Sequence, residues 1–298
     1  MVCGDARWTY AQWMERSTRL ACALGRLGLK RQDRVGILAM NCAEYFDVFA
    51  CCHLTGMIVS TVNFRLAPPE MLYILQDSAP SVLIFEAQYT EVVDSLRSQL
   101  PWLRDFICIG ECPDWAVPYD QFLASAANAS LPFESRPEDA AHLIYTSGTT
   151  GRPKGVIRGQ AAELALARTQ AGMMEMKING RILVMMPMFH LGAISMFLPQ
   201  QLMAGTVVLH RKFDPLDILQ TIEREQIVTT HMAPVMVKAV LDHPDLKKHD
   251  LSSLQTLCYS AAPMPVAVLR RGLDAIGPVF LNSWGSTEVG SGTNFPKH

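Results

Sequence analysis

Apolar positions along this chain fall into short unbroken runs that alternate with stretches spaced at three to four residues. Leu20, Ala21, Leu24 and Leu27 recur at i, i+1, i+4 and i+7 and are followed by Gly28, which predicts a helix over 9–27. The run RVGILAM predicts a buried strand over 34–40. The same reading gives a helix over 44–54, a strand over 57–62, a helix over 69–76 with proline in its first turn, a strand over 81–85, a helix over 91–100 and a strand over 105–109. Between Pro113 and Pro137 the pattern weakens into WAVPYD, an Ala/Ser/Asn cluster and Pro132. That stretch predicts a boundary between two α/β subdomains, 1–137 and 138–298. Strands are then expected at 142–145, 182–186, 206–209, 228–231, 256–259 and 279–281, with helices at 161–176, 216–225, 235–242 and 266–275. Strands alternating with helices predict an α/β fold of stacked, mainly parallel sheets with flanking helices.

Composition narrows the function. With 298 residues and 49% hydrophobic side chains, the chain can fill two cores. The 26 basic and 28 acidic side chains leave a net charge of −2, too little positive surplus to grip nucleic acid or an anionic membrane. Apolar runs stop well short of the roughly 18 to 20 residues that a spanning helix needs. The first ten residues, MVCGDARWTY, hold no apolar segment of a secretory signal, so a cytoplasmic chain is expected. Eight cysteines include no C-x-x-C and predict reduced, mostly buried thiols. Of the eight histidines only His190 is a functional candidate.

The most informative segment is YTSGTTGRPKGV, residues 145–156, which follows a predicted strand. Thr146, Ser147, Gly148, Thr149, Thr150 and Gly151 are small or hydroxylated, so backbone N–H groups can approach phosphate oxygens while hydroxyls add donors. Lys154 adds a charge. An ordinary flexible loop is the plainer reading of six such residues alone. A Walker A loop is excluded, because Pro153 and Gly155 stand where that pattern needs Gly and Ser or Thr.

As a whole the twelve-residue string resembles the phosphate-binding loop of the adenylate-forming superfamily, which includes acyl-CoA synthetases, aryl-CoA ligases, luciferases and peptide-synthetase adenylation domains. Three further segments resemble its motifs in order: PMFHLG at 187–192, YSAAP at 259–263 and NSWGSTE at 282–288. Trp8, Thr9 and Tyr10, with residues 36–41, are similar to the entry of the same fold. The resemblance implies that Ser260, Ala261, Ala262 and Pro263 form the adenine-side turn, with Asn282, Gly285 and Ser286 in the nucleotide site. It also implies that Thr287 donates to the α-phosphate and that Glu288 ligates magnesium. Trp284 stands where relatives usually carry Tyr, which keeps a stacking face but removes a phenolic hydroxyl. Ser260 stands where relatives often have Gly. His190 lies in the segment that lines the acyl pocket. Amino-acid-activating relatives place Asp after the Phe to pair a buried ammonium, so His190 implies an acid with no α-amino group: fatty, aryl or short branched.

The implied activity is ATP-dependent activation of a carboxylic acid to an acyl-adenylate, followed by thioester formation with coenzyme A. The expected partners are therefore a small carboxylate, ATP, Mg2+ and coenzyme A, with His190, Thr287, Glu288 and Lys154 as catalytic candidates. No G-x-S-x-G occurs to suggest a serine hydrolase. The sequence stops soon after the acidic motif, so the chain is expected to be a truncated large N-terminal domain lacking the C-terminal catalytic domain and inactive alone. Self-association as a homo-oligomer through the cut edge is expected as well. A non-catalytic nucleotide- or acyl-binding protein is the alternative.

Overall fold

The computed structural model describes residues 1–126, 130–147 and 151–297. The chain forms two compact units, Trp8–Glu163 and Met1–Arg7 with Leu164–His298. The division thus falls later than the 137/138 boundary read from the sequence, and the first seven residues join the second unit.

The chain opens on a short antiparallel pair, β1 (Val2–Cys3) and β2 (Ala6–Arg7), then helix α1 (Tyr10–Arg26). Thr9 caps α1: its hydroxyl accepts from Gln12 N at 3.2 Å, and the Gln12 side chain accepts from Thr9 N at 2.9 Å. There follow β3 (Arg34–Leu38), α2 (Ala43–Thr55), β4 (Ile58–Thr61), α3 (Pro68–Ser78), β5 (Val82–Glu86), α4 (Thr90–Arg97) and β6 (Asp105–Ile109). The weakly patterned stretch holds β7 (Val117–Pro118) and α5 (Tyr119–Ala124), and β8 (Ala140–Thr146) and β9 (Lys154–Gly159) complete this sheet. Its order is β7-β6-β5-β3-β4-β8-β9, parallel except for β9 at one edge. Val35, Ile37, Leu83 and Phe85 are fully buried, because helices cover a parallel sheet on both faces.

Helix α6 (Gln160–Met173) contains the division between the units. Beyond it run β10 (Arg181–Val184), α7 (Leu191–Leu202), β11 (Thr206–Leu209), α8 (Pro215–Glu225), β12 (Thr229–Met232), α9 (Pro234–Asp242), β13 (Thr256–Tyr259), α10 (Val266–Ile276), β14 (Phe280–Ser286) and β15 (Gly290–Phe295). The second sheet has the order β15-β14-β13-β12-β10-β11-β1-β2, with β15 and β2 antiparallel at its edges. From β10 the chain steps outward to β11, crosses back to β12 on the other side of β10, and continues through β13 and β14. The order therefore reverses between β10 and β12. Among the described residues no helix is long and apolar enough to cross a membrane.

The first unit holds a buried polar chain. His53 Nε2 lies 2.8 Å from His142 Nε2, so one proton is shared between the two nitrogens. His142 Nδ1 faces Glu163 Oε1 at 3.5 Å, and Arg158 donates to the same oxygen. Burial opposes charge on Glu163, but His142 and Arg158 outweigh it and hold the carboxyl below its ordinary value. Burial, reinforced by His142, pushes His53 down to about 3. His53 is therefore neutral in the fold and charged in the unfolded chain below about pH 6.5. The unfolded state then binds the extra proton, so the contribution is complete above pH 6.5 and is lost as pH falls toward 3. One such group gives a slope of about 1.4 kcal/mol per pH unit inside that window. Urea unfolding at pH 7, 6 and 5 should therefore show a steeper acid-side loss in the wild type than in His53→Gln; parallel losses would remove His53 as the cause.

Candidate active site

Three of the sequence motifs leave the same edge of the second sheet. Residues 187–192 follow β10, residues 259–263 close β13, and residues 282–288 run through the end of β14 into the turn before β15. Parallel pairing aligns Leu183 with Thr230, Met232 with Tyr259, and Tyr259 with Asn282. Motifs far apart in sequence thus arrive at the carboxyl ends of β10, β13 and β14 in one sheet, with β12 between β10 and β13, where open parallel sheets bind ligands.

His190 caps α7, its Nδ1 accepting from Gly192 N at 3.1 Å. The ring is partly open to solvent, and the burial it has lowers its pKa. Gly192 sits between two imidazoles: a Cβ there would lie 3.4 Å from His190 Nδ1 and 3.6 Å from His231 Cε1. His231, on β12, is buried. Its Nδ1 is 3.4 Å from the Gly192 carbonyl, and its Nε2 is 2.7 Å from Ser260 Oγ. Burial, with His190 close by, pushes His231 down to about 4, although the Gly192 carbonyl works the other way. His231 thereby connects two motifs while belonging to neither. Nothing in the sequence marks it, since it follows the apolar and hydroxyl run IVTT as any core histidine could.

After Ser260 the turn puts Ala261 at φ +71°. A non-glycine residue in the left-handed region costs about 1 to 2 kcal/mol, strain that sits here at the exposed turn of a motif. Ala262 and Pro263 are exposed beside it. Asn282 Nδ2 donates to the Tyr259 carbonyl at 3.4 Å, joining β14 to β13.

The β14–β15 pair is built around glycines. A Cβ on Gly285 would come 2.0 Å from the Gly290 carbonyl oxygen, and one on Gly292 would come 2.7 Å from the Trp284 ring. The indole therefore lies across Gly292 while remaining 61% exposed. A large aromatic face left in solvent is suited to stacking. Ser286 Oγ accepts from Val289 N at 3.3 Å. Thr287 is buried, and Glu288 is exposed on the connecting turn. Among the described residues no group of three His, Cys, Asp or Glu side chains could hold a metal ion alone. A single exposed carboxylate does fit magnesium that keeps water and phosphate oxygens as its other ligands.

The phosphate-loop candidates lie in the first unit, where β8 and β9 pair as a hairpin and Thr146 is the partner of Lys154. Ser147 and Lys154 are exposed, and Gly151 has φ +87° with open space around it. Gly148, Thr149 and Thr150 lie outside the described residues. Both flanks of the loop rest on α3: the Tyr145 hydroxyl donates to Asp77 Oδ2 at 2.6 Å, and the Arg152 guanidinium lies 5.9 Å from the Tyr73 ring centroid. Tyr73 and Asp77 are four apart, so one face of α3 receives both contacts. Gly155 is closely packed, since a Cβ would come 2.8 Å from the Leu143 side-chain tip at Cδ1 and 3.2 Å from Tyr145 Cζ.

Known proteins share this arrangement of elements and sequence. The family of AMP-binding enzymes matches residues 1–298. Feruloyl-CoA synthase of an Amycolatopsis species is 33% identical over 294 residues, an alignment that covers 97% of this chain and 56% of that protein. The inhibitor-bound N-terminal domain of FACL13 from Mycobacterium tuberculosis superposes with a TM-score of 0.90 at 28% identity, covering 98% of this chain and 73% of that one. The anthranilate CoA ligase AuaEII, in complex with anthranoyl-AMP, gives a TM-score of 0.90 at 26% identity, covering 96% and 56%. The chain spans a little over half the length of its curated relative. With a match that runs from its first residue to its last, it belongs to the AMP-binding enzyme family.

Proposed function

We propose that this chain is the nucleotide- and acyl-binding part of an acid–thiol ligase, an AMP-forming acyl-CoA synthetase acting on a carboxylic acid without an α-amino group. The observation that carries the reading is the convergence of residues 187–192, 259–263 and 282–288 at the carboxyl ends of β10, β13 and β14 in one sheet. A carboxylate oxygen of the acid attacks the α-phosphorus of ATP; the new P–O bond forms as the bond to pyrophosphate breaks, and pyrophosphate leaves with its electron pair. The thiolate of coenzyme A then attacks the acyl carbon, and AMP departs. Two anions must meet in the first step, so the protein contributes mainly positioning and charge neutralisation.

Each residue has a part in that task. The loop from Thr146 to Lys154 supplies backbone, hydroxyl and ammonium donors to the phosphates, with Ser147, Gly148, Thr149, Thr150 and Gly151 keeping it free of bulk. Trp284 stacks on the purine beside Ser260, Ala261, Ala262 and Pro263, with Asn282, Gly285 and Ser286 shaping the strand under it. Thr287 donates to the α-phosphate. Glu288 holds Mg2+, which when bound offsets triphosphate charge. His190, neutral and at the mouth of α7, borders the acyl group; a carboxylate in its place would be needed to pair an α-ammonium. The eight thiols are all unbridged, which supports a reducing, cytoplasmic setting.

The reading is tested by ATP–pyrophosphate exchange over fatty, aryl, short branched and α-amino acids. With the C-terminal region of a relative supplied by fusion, exchange is expected with acids of the first three classes and not with amino acids. Nucleotide binding without exchange on any acid would instead mark a non-catalytic binder. In a Mg-ATP titration, Lys154→Ala should lose about 1.5 to 3 kcal/mol of affinity, the worth of a charge-assisted contact; equal affinities would take Lys154 out of the site. Glu288→Gln should lose most of the gain in nucleotide affinity that magnesium gives the wild type, because a neutral amide is a poor ligand for a hard cation. An unchanged magnesium response would end that role.

A further inference from the structure

We infer that His231 is a positioning residue that sets which acids are accepted: its imidazole takes the Ser260 hydroxyl proton, Ser260 Oγ meets the acyl group as a hydrogen-bond acceptor, and the preferred acid therefore carries a hydroxyl or N–H donor. The inference rests on the acid-activating reading and deepens it.

Hydrogen-bond geometry fixes the protons. The Gly192 carbonyl can only accept, so the His231 nitrogen facing it at 3.4 Å, Nδ1, carries the hydrogen. A neutral imidazole then offers only a lone pair at Nε2, and the Ser260 hydroxyl, 2.7 Å away, must donate to it. Ser has one hydroxyl proton, so Oγ retains only its acceptor lone pairs. His190 is set the other way. Its Nδ1 accepts from Gly192 N, which leaves the Nε2–H of the neutral ring as a donor. Gly192 thus holds two rings in opposite tautomers, one through its carbonyl and one through its amide.

The location points to a ligand. The order of the second sheet reverses between β10 and β12; His190 follows β10 and His231 lies in β12. Such a reversal opens a crevice at the carboxyl ends of the two strands. An aliphatic side chain would fill position 231 without polar groups to satisfy, whereas a buried imidazole needs partners at both nitrogens and has them. The Ser260 backbone belongs to the turn assigned above to the purine side, while its hydroxyl points away along β13 to β12 and His231. One residue therefore divides its backbone and side chain between nucleotide and acid.

The experiment compares matched acids. The 2-, 3- and 4-hydroxybenzoic and hydroxycinnamic acids and their methyl ethers are assayed by pyrophosphate release with the wild-type chain, His231→Leu and His231→Gln, each fused to the C-terminal region of a relative. At least one donor-bearing acid should have a KM about tenfold below that of its ether in the wild type, the worth of one net hydrogen bond. His231→Leu should bring the ratio of the two KM values to about one, whatever it does to kcat. His231→Gln, whose carboxamide oxygen can take the Ser260 proton, should recover part of the ratio. A wild type with no preference for any donor-bearing acid, or a preference that survives His231→Leu, overturns the inference. Two readouts do not need turnover. The 15N spectrum of His231 should report the Nδ1–H form at neutral pH, and the other tautomer overturns the proposal. Equilibrium dialysis of the same acid pairs should show the same selectivity, and absent or unselective binding overturns it too. Failure of every acid to release pyrophosphate, with selective binding retained, would overturn the activity reading and leave the assignment of His231 supported.

Discussion

In a parallel sheet all strands run out at one edge, so residues distant in sequence meet only if each strand is held in register with the next. Here β10 pairs Ile182 with Thr229, β12 pairs Thr229 with Thr256, and β13 pairs Leu257 with Phe280. A slip of one residue in any of these would turn every side chain of that strand to the opposite face. Ile182, Leu183, Leu257 and Leu281 are almost wholly buried, so a slip would also disrupt close packing on both faces of the sheet. The register that places His190, His231, Ser260 and Asn282 is thus enforced by packing remote from any chemistry.

Burial also disciplines the polar groups. Asp47 is buried, and its carboxyl is pushed up to about 6 by that burial even though Arg16 donates to it at 2.8 and 3.0 Å and Tyr119 at 3.1 Å. Glu225 faces the opposite balance: Arg7 and Arg181 both donate to it and hold it down to about 2. These two carboxylates join α1, α2 and α5 in one unit and β2, β10 and α8 in the other. Loss of Arg16 would leave Asp47 buried with only the Tyr119 hydroxyl, whereas Glu225 would keep one guanidinium if the other were lost. His231 differs from them in kind. It is neutral and linked to a hydroxyl at the open end of the sheet, where a hydrogen-bond preference can be presented to a ligand without a full charge to desolvate.

Much of this was legible in the sequence because the signals were strong where burial was two-sided. The runs at β3 and β5, the helix patterns of α1 and α8, and the motif order all reappear at close to the expected positions. Elements that escaped lack those signals. Helix α7 buries Ala193, Ile194, Met196, Phe197 and even Pro199, so no polar face exists to give it a helical period. Strand β15 is an edge of small polar residues, and β9 is the half-exposed return arm of the loop hairpin. The division inside α6 has no composition change to mark it, since a helix can pass from one compact unit to the next without a linker. His231 escaped for a different reason: its significance is relational, arising from a carbonyl on one motif and a hydroxyl on another.

The local supports of the candidate site are steric before they are chemical. Gly285 and Gly292 admit the Gly290 carbonyl and the Trp284 indole, and Gly155 admits the Tyr145 ring that anchors the loop to α3. A methyl group on Gly285 or Gly292 would collide with backbone or a ring, forcing the strand or the aromatic to move, and one on Gly155 would press on the Leu143 side chain. The positions of the Trp284 indole and of the loop's first strand are therefore built into the folded chain. Ordering costs of that kind are met during folding and need not be drawn from the interaction with nucleotide or acid. The exposed Trp284 and the left-handed Ala261 carry the remaining cost, one as unburied apolar area and the other as backbone strain, and both lie at the strand ends where the three motifs converge.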